Sequence, residues 1–546
     1  MNKVKKMLAL VLVLALGITA LVGCSGGDKK EEPENENAVN IIDDNYRTYY
    51  EVFVYSFYDS DGDGIGDIPG LIEKLDYIND GNPETTTDLE CNGMWLMPIH
   101  QANSYHKYDV MDYYSIDKQY GTLDDFKKLV EECDKRGIKL IIDLVMNHSS
   151  DKHEWFTTAS EYLAGLEEGQ EPDPSECKYV DYYHFAKGKP ATGAYAKVPG
   201  TMDWWYECVF VSEMPDLNLE NEDVRKEFEE ISKFWLDLGV GGFRLDAVKH
   251  FQDGQDAYNI EVLKWFNDYV KGYKEDAYIV GEVYDGIGLY AKYLESGIDS
   301  TFDFDMATST GYIAQTINGK LSDTAAANWG KKYVATIEAE KAYNEDYIMA
   351  PFISNHDVDR IAPGYAYDAG KIKMAIGMLH MMNGSTFLYY GDEVGLGGSG
   401  IDQNKRAPMP WSSTNTTGIT NGPGAMQADM VINKFASVEE QIKDPESIFN
   451  YARKTIRLRN KYPEIARGEV ELIETDNINA CVMKKTYNDS SIIIVMNTTN
   501  KDQVVTIPKS NGYSKVKDTV AANSVQTATL DGEKLTMPAH SIAILK

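Results

Sequence analysis

The 546-residue sequence predicts an α/β protein: a (β/α)8 barrel, interrupted by an irregular insertion and followed by an all-β domain. Three observations carry this prediction. Eight short apolar runs alternate with amphipathic helical stretches between residues 46 and 466. No glycine-rich phosphate loop follows the first run, as a doubly wound open sheet would want. Beyond residue 467 the texture changes to short β runs separated by turn signals.

Residues 52–57 are rich in β-branched and aromatic side chains and read as the first strand. Residues 68–78 follow as a helix, with Pro69 tolerated in its first turn, and residues 93–98 form a second strand. Over 122–136 the helix signal is clear: Phe126, Leu129, Val130 and Cys133 share one face, and Gly137 suits the C-terminal cap. Residues 139–145 are almost continuously apolar, as in a parallel strand buried on both faces. A helix over 222–238 turns Val224, Phe228, Ile231, Trp235 and Leu238 inward, with Asn221 as its N-cap and Gly239 at its end. Strands at 242–246, 277–283, 301–304, 348–353 and 385–390 complete the count of eight. Runs at 470–473, 480–486, 491–497, 503–507 and 542–546 read as a β-sandwich.

The composition is 43% hydrophobic and 25% charged, ordinary for a globular chain, so most of it folds. A net charge of −33 argues against a nucleic-acid partner, because a polyanion is repelled, and suits a soluble surface and a neutral substrate. The chain is expected to be a monomer. Lys3, Lys5 and Lys6 precede an apolar run over residues 7–22, which has the parts of a bacterial export signal. The ending Leu21-Val22-Gly23-Cys24 resembles the lipobox of bacterial lipoproteins, which implies lipidation of Cys24 and attachment to the outer face of the cell membrane. The alternative is a short membrane anchor, for which the run is short. The expected organisation is a signal peptide (1–23), a lipidated and polar tether (24–45), a barrel (46–148 and 218–466), an inserted B domain (149–217) and a β-sandwich (467–546). Five cysteines remain besides Cys24, an odd number with no C-x-x-C pair, so neither a disulfide framework nor a zinc site is indicated.

In a (β/α)8 barrel the active site lies at the C-terminal ends of the strands. Acidic residues stand there: Asp143 in the third strand, Asp246 at the end of the fourth, Glu282 at the end of the fifth and Asp357 after the seventh. If 242–246 is a strand, alternation sends Arg244 and Asp246 to the same side. An arginine so placed keeps the carboxylate ionised, the form a nucleophile needs; the other reading is a structural ion pair. A single strand-end acid is as often structural as catalytic. Three converging with two histidines and an arginine match glycoside hydrolysis, where one carboxylate attacks the anomeric carbon and a protonated second serves the leaving oxygen.

At these residues the chain resembles the α-amylase family of glycoside hydrolases (family 13). D-L-V-M-N-H at 143–148, G-F-R-L-D-A-V-K-H at 242–250, G-E-V-Y at 281–284 and F-I-S-N-H-D at 352–357 match its four signature regions in order and spacing. M-P-D-L-N at 214–218 resembles a fifth, in the form seen in enzymes intermediate between oligo-1,6-glucosidases and neopullulanases. The resemblance implies Asp246 as nucleophile, Glu282 as acid/base and Asp357 as the group that binds sugar hydroxyls and stabilises the transition state. It further implies substrate contacts by Tyr108, His148, Arg244, Lys249, His250, His356 and Arg360. Lys107 stands where the family usually has glycine.

Residues 59–67, D-S-D-G-D-G-I-G-D, present four carboxylates at near-alternate positions, a spacing of hard oxygen ligands that suits Ca²⁺. An EF-hand is excluded, because Gly70 stands where the bidentate glutamate belongs. The loop also resembles the metal loop of oligo-1,6-glucosidase-like members, which implies side-chain ligands Asp59, Asp61, Asp63 and Asp67 and the carbonyl of Ile65. A second calcium is implied through Asn147, Asp216 and the carbonyl of His250.

Ala247 stands where α-1,6-cleaving relatives often carry valine, and Lys249-His250 resembles the α-1,4-acting amylases. Exo-acting relatives place an aspartate near the start of the Tyr108 loop; here Tyr105-His106 stand there. The expected activity is endo-cleavage of α-1,4 bonds in starch and maltooligosaccharides. The alternatives are a 4-α-glucanotransferase, an exo-acting α-glucosidase or oligo-1,6-glucosidase and, from another class, a non-catalytic glycan-binding surface lipoprotein. Trp204 and Trp205 in the insertion are sugar platforms or, as the favoured reading, partly core; Asp402, Arg406 and Trp411 border the groove or brace it.

Overall fold

The computed structural model describes residues 39–319 and 325–546. The signal peptide, Cys24 and most of the tether lie outside the described residues. Eight parallel strands are Thr48–Val52 (β1), Gly93–Leu96 (β2), Lys139–Leu144 (β3), Gly242–Leu245 (β4), Tyr278–Gly281 (β5), Ser300–Asp303 (β6), Ala350–Pro351 (β7) and Thr386–Tyr389 (β8). Their order is β7-β6-β5-β4-β3-β2-β1-β8. A parallel bridge between Phe352 and Phe387 brings the two edges together and nearly closes the barrel.

Alternation decides what fills the barrel. Tyr49, Trp95, Ile141, Tyr278, Val280, Phe302 and Phe387 form one buried cluster, with Tyr49 stacked between Tyr278 (5.3 Å) and Phe387 (5.0 Å). Two residues after Tyr49 and Ile141 come Glu51 and Asp143, and the Arg244 guanidinium lies 5.2 Å over the Trp95 ring. The apolar plug thus gives way to a charged layer at the C-terminal mouth. Gly242 makes this possible: its φ is +149°, and a Cβ there would lie 1.9 Å from the carbonyl oxygen of Tyr278.

The helices match the sequence pattern closely. Thr122 and Asp125 form a capping box on the helix Leu123–Lys135, and Asn221 accepts a hydrogen bond from the Asp223 amide at the start of Glu222–Asp237. Two strand readings shift. The first strand is Thr48–Val52, and Val54–Ser56 is a 3₁₀ turn, although residues 52–57 carry the stronger β composition. Such composition reports a packed surface rather than a backbone preference. Only Ala350–Pro351 forms a strand within 348–353, with Phe352 adding a single bridge, and Pro351 offers no amide to extend that ladder.

The insertion carries a helix, Glu154–Gly165, and a three-stranded antiparallel sheet of Phe185–Lys187, Trp204–Glu207 and Tyr195–Lys197. The C-terminal region holds a five-stranded and a three-stranded sheet. Val482, Ile493, Val495, Val505, Leu535 and Met537, drawn from both sheets, share a core. Strands Val516–Ala521, Thr529–Asp531 and Lys534–Met537 add to the five runs read from sequence.

Candidate active site

One buried guanidinium organises the mouth of the barrel. Arg244 Nη1 lies 2.7 Å from Asp246 Oδ1 and donates to both oxygens of Asp143, at 2.9 and 3.0 Å. Its Nη2 is 3.0 Å from Glu282 Oε2. Arg244 and Asp143 have no exposed side-chain surface, whereas about a tenth of Asp246 and of Glu282 faces the cleft. The guanidinium therefore sits beneath the cleft, and the two carboxyl groups it holds face into it. Burial raises the pKa of Glu282; Arg244 opposes the shift, and Asp246 and Asp357 add to it. Ala247 takes the left-handed conformation (φ +50°), and its amide donates to Glu282 Oε2 at 3.1 Å. This strained turn locks the ends of β4 and β5 together.

Asp357 is held by a second set. His356 Nδ1 lies 2.7 Å from Glu51 Oε1 and its Nε2 lies 3.0 Å from Asp357 Oδ2, while Arg406 Nη2 donates to Asp357 Oδ1 at 2.9 Å. Burial opposes ionisation of Asp357, but His356, Arg406 and Arg244 overcome it and hold this carboxyl well below the usual range. Burial likewise disfavours charge on His356, yet Asp357 and Glu51 push its pKa up to about 9. A folded-state pKa above the unfolded value of about 6.5 means that the native state binds the extra proton between these limits. The contribution of His356 to stability is full below about pH 6.5 and is lost as the pH rises through 9. The Tm advantage of the wild type over His356→Gln is accordingly largest near pH 6 and shrinks toward pH 10; a pH-independent difference would contradict the charged pair.

The cleft has a volume of about 440 Å³. Asp246, Glu282 and Asp357 line it, and so do Tyr108, His148, Lys249 and His250 from the residues read in the sequence. The Tyr108 hydroxyl donates to Asp143 Oδ2 (3.0 Å) and lies 2.7 Å from His356 Nε2. Burial lowers the pKa of His148, which favours its neutral form, and its buried Nε2 has no partner among the described residues. Lys249 donates to the Tyr284 carbonyl at 3.0 Å. Lys107 has φ +66°, and its ammonium is anchored on Asp117 at 3.1 Å. The loop thus keeps a left-handed shape without the usual glycine.

Arg360 does not join this group. It is wholly buried beneath the Tyr389 and Tyr390 rings, donating to the carbonyls of Tyr390 (2.6 Å) and Lys405 (2.8 Å). The arginine that reaches Asp357 is Arg406. Asp402, Phe210, Val211, Met214, Tyr284 and His106 also line the cleft. Asp402 and Arg406 stand out in the sequence as groove candidates, and Met214 opens the M-P-D-L-N motif; Phe210 and Val211 carry no signal, because the insertion lacks periodicity.

Carboxylate oxygens of Asp59, Asp61 and Asp67 lie within 4.8 Å of one another, a hard-oxygen set that fits a divalent cation. Asp67 also caps the helix Ile68–Glu73 through the Gly70 amide, and Asp63 accepts from the Ile65 amide at 2.7 Å. At the other implied site Asn147 Nδ2 donates to Asp216 Oδ1 at 3.2 Å, and the buried Asn147 Oδ1 has no partner among the described residues. That orphaned acceptor beside a carboxylate fits a cation as well. The His250 ring pairs with Asp253 at 2.8 Å.

A family model described as "Alpha amylase, catalytic domain" matches residues 51–468. The chain is 33% identical to "Alpha-amylase 3" of Dictyoglomus thermophilum over 551 residues, covering 100% of this chain and 98% of that protein. It is 26% identical to an oligo-1,6-glucosidase of Bacillus cereus over 578 residues, 91% of this chain and 98% of that one. Among solved structures, Eubacterium rectale Amy13B matches with a TM-score of 0.89 and 44% identity over 94% of this chain and 97% of its own. The α-amylase from H. orenii matches with a TM-score of 0.79 and 35% identity over 92% and 99%.

Proposed function

Because the chain belongs to the α-amylase family of glycoside hydrolases, we propose that it cleaves internal α-1,4 bonds of starch and maltooligosaccharides with retention of configuration. The observation that carries the chemistry is the single Arg244 guanidinium bearing both Asp246 and Glu282 on the floor of the cleft. Asp246 attacks the anomeric carbon as Glu282 transfers its proton to the departing glycosidic oxygen. Burial raises the pKa of Glu282, which favours the protonated form this step needs. Glu282 then takes a proton from water, which attacks the same carbon and releases Asp246. Asp357, ionised by His356 and Arg406, binds sugar hydroxyls and draws the ring toward the transition state.

The endo reading rests on Lys249 and His250 in the cleft wall and on Tyr105-His106 at the start of the Tyr108 loop. An exo reading draws on Asp402, which lines the cleft 3.8 Å from Arg406 and places an acid near its mouth. Early products from maltoheptaose separate the two. Maltose to maltotetraose are expected, and glucose alone would sink the endo assignment. Chains longer than the substrate would assign the transferase.

The loop Asp59–Asp67 is proposed to hold Ca²⁺ through Asp59, Asp61 and Asp67; Asp63 and the Ile65 carbonyl are the further ligands that the resemblance implies, and Asp63 lies outside that cluster. Asn147 and Asp216, with the carbonyl of His250, are proposed to hold a second. The ions supply charge compensation to buried carboxylates, so a chelator lowers the Tm; an unchanged Tm would count against both sites.

A further inference from the structure

The acidic loop and the carboxylate Asp357 are far apart in sequence, yet a short chain of contacts joins them. Tyr55 and Tyr58 carbonyls accept the amides of Gly66 (2.8 Å) and Asp67 (3.1 Å), so residues 55–58 move with the loop. Ser56 Oγ donates to the Arg406 carbonyl at 2.7 Å, and the Met409 amide donates to the Ser56 carbonyl at 2.9 Å. Trp411 Nε1 donates to the Phe57 carbonyl, its ring packed edge-on to Phe57 at 5.0 Å. The loop is gripped from the same side, by Asp59 amide to Gly418 carbonyl (3.0 Å) and Asn421 amide to Gly64 carbonyl (2.7 Å). Arg406 then binds Asp357 Oδ1 at 2.9 Å and the His356 carbonyl at 3.2 Å.

We propose that Ser56 and Trp411 are positioning residues that couple the acidic loop to Asp357 through Arg406, so that cation binding in the loop and sugar binding in the cleft favour each other. The inference rests on the calcium and α-glucan readings above. Asp59, Asp61 and Asp67 repel one another when no cation neutralises them, and that repulsion bears on residues 55–58 and hence on the backbone of Arg406. A cation reverses the sign. The loop then holds Ser56 where it fixes the Arg406 carbonyl, and the guanidinium keeps its place against Asp357. Binding couplings are reciprocal, so the same factor must appear from either ligand.

Calorimetric titration of CaCl₂ into chelator-treated Asp246→Asn protein, alone and with saturating maltoheptaose, tests this without turnover. The sugar is expected to tighten the calcium Kd by about fivefold, and calcium to tighten the maltoheptaose Kd equally. Adding Trp411→Phe removes the Nε1 bond and keeps a ring; adding Ser56→Ala removes the hydroxyl. In either variant calcium still binds, the coupling factor falls toward one, and Ser56→Thr restores it. A calcium Kd indifferent to maltoheptaose in the parent, or full coupling in both variants, overturns the inference and leaves the calcium reading standing. No calcium binding at all overturns both.

Discussion

Asp246→Asn reduces hydrolysis of maltoheptaose by at least about four orders of magnitude while leaving the protein folded. The amide is nearly isosteric with the carboxylate, and its oxygen still accepts from Arg244 Nη1, now 2.7 Å from Asp246 Oδ1. What disappears is the anionic oxygen that forms the bond to the anomeric carbon. Glu282 changes too, since Asp246 is one of the charges that raise its pKa, so the remaining acid is weaker placed as well as unassisted. Product release measured by chromatography, with circular dichroism as a folding control, gives the answer. Activity within tenfold of wild type would overturn the nucleophile assignment and with it the double-displacement mechanism.

Arg244→Met lowers stability by about 3–5 kcal/mol and abolishes measurable activity, because it strands three carboxyl groups. Asp143 is wholly buried and has Arg244 as its cation, at 2.9 Å, while Asp246 and Glu282 are nearly as enclosed. Methionine matches the side-chain volume, so the loss reports charge rather than a cavity. Arg244→Lys returns the charge without the fork, and one ammonium cannot reach all three groups, so it recovers part of the stability and little of the activity. Urea midpoints of the three proteins decide this. Equal midpoints for arginine and methionine would mean that the carboxyl groups are already neutral in the native state.

Much of the site was legible because strand alternation is a local rule. Arg244 and Asp246 were expected on one side of one strand, and they meet at 2.7 Å. Asp143, Glu282 and Asp357 read from the sequence as strand-end acids, and all three surround the same guanidinium or cleft. Helix caps such as Thr122 and Asn221 were equally local. The first strand lies several residues before the stretch with the stronger β composition because apolar content marks burial, and Val54 and Ser56 of the 3₁₀ turn are buried like the strand before them. Phe210 and Val211 carry no local signal: the insertion has no period to say which of its residues return to the barrel.

The sequence by itself determined the chemical kit, the side of the strand on which Arg244 and Asp246 stand, and the acidic loop. Those properties depend on residues two to nine positions apart, within reach of backbone geometry. Only the tertiary structure decided which arginine serves which carboxylate. Arg360 follows the Asp357 motif by three residues, yet the Tyr389 and Tyr390 rings and two carbonyls claim it. Arg406, 49 positions beyond Asp357, takes the place beside that carboxylate. Neighbours of that kind are created when β7 and β8 close the barrel, and a guanidinium goes where the closed fold leaves it room and an unpaired negative charge.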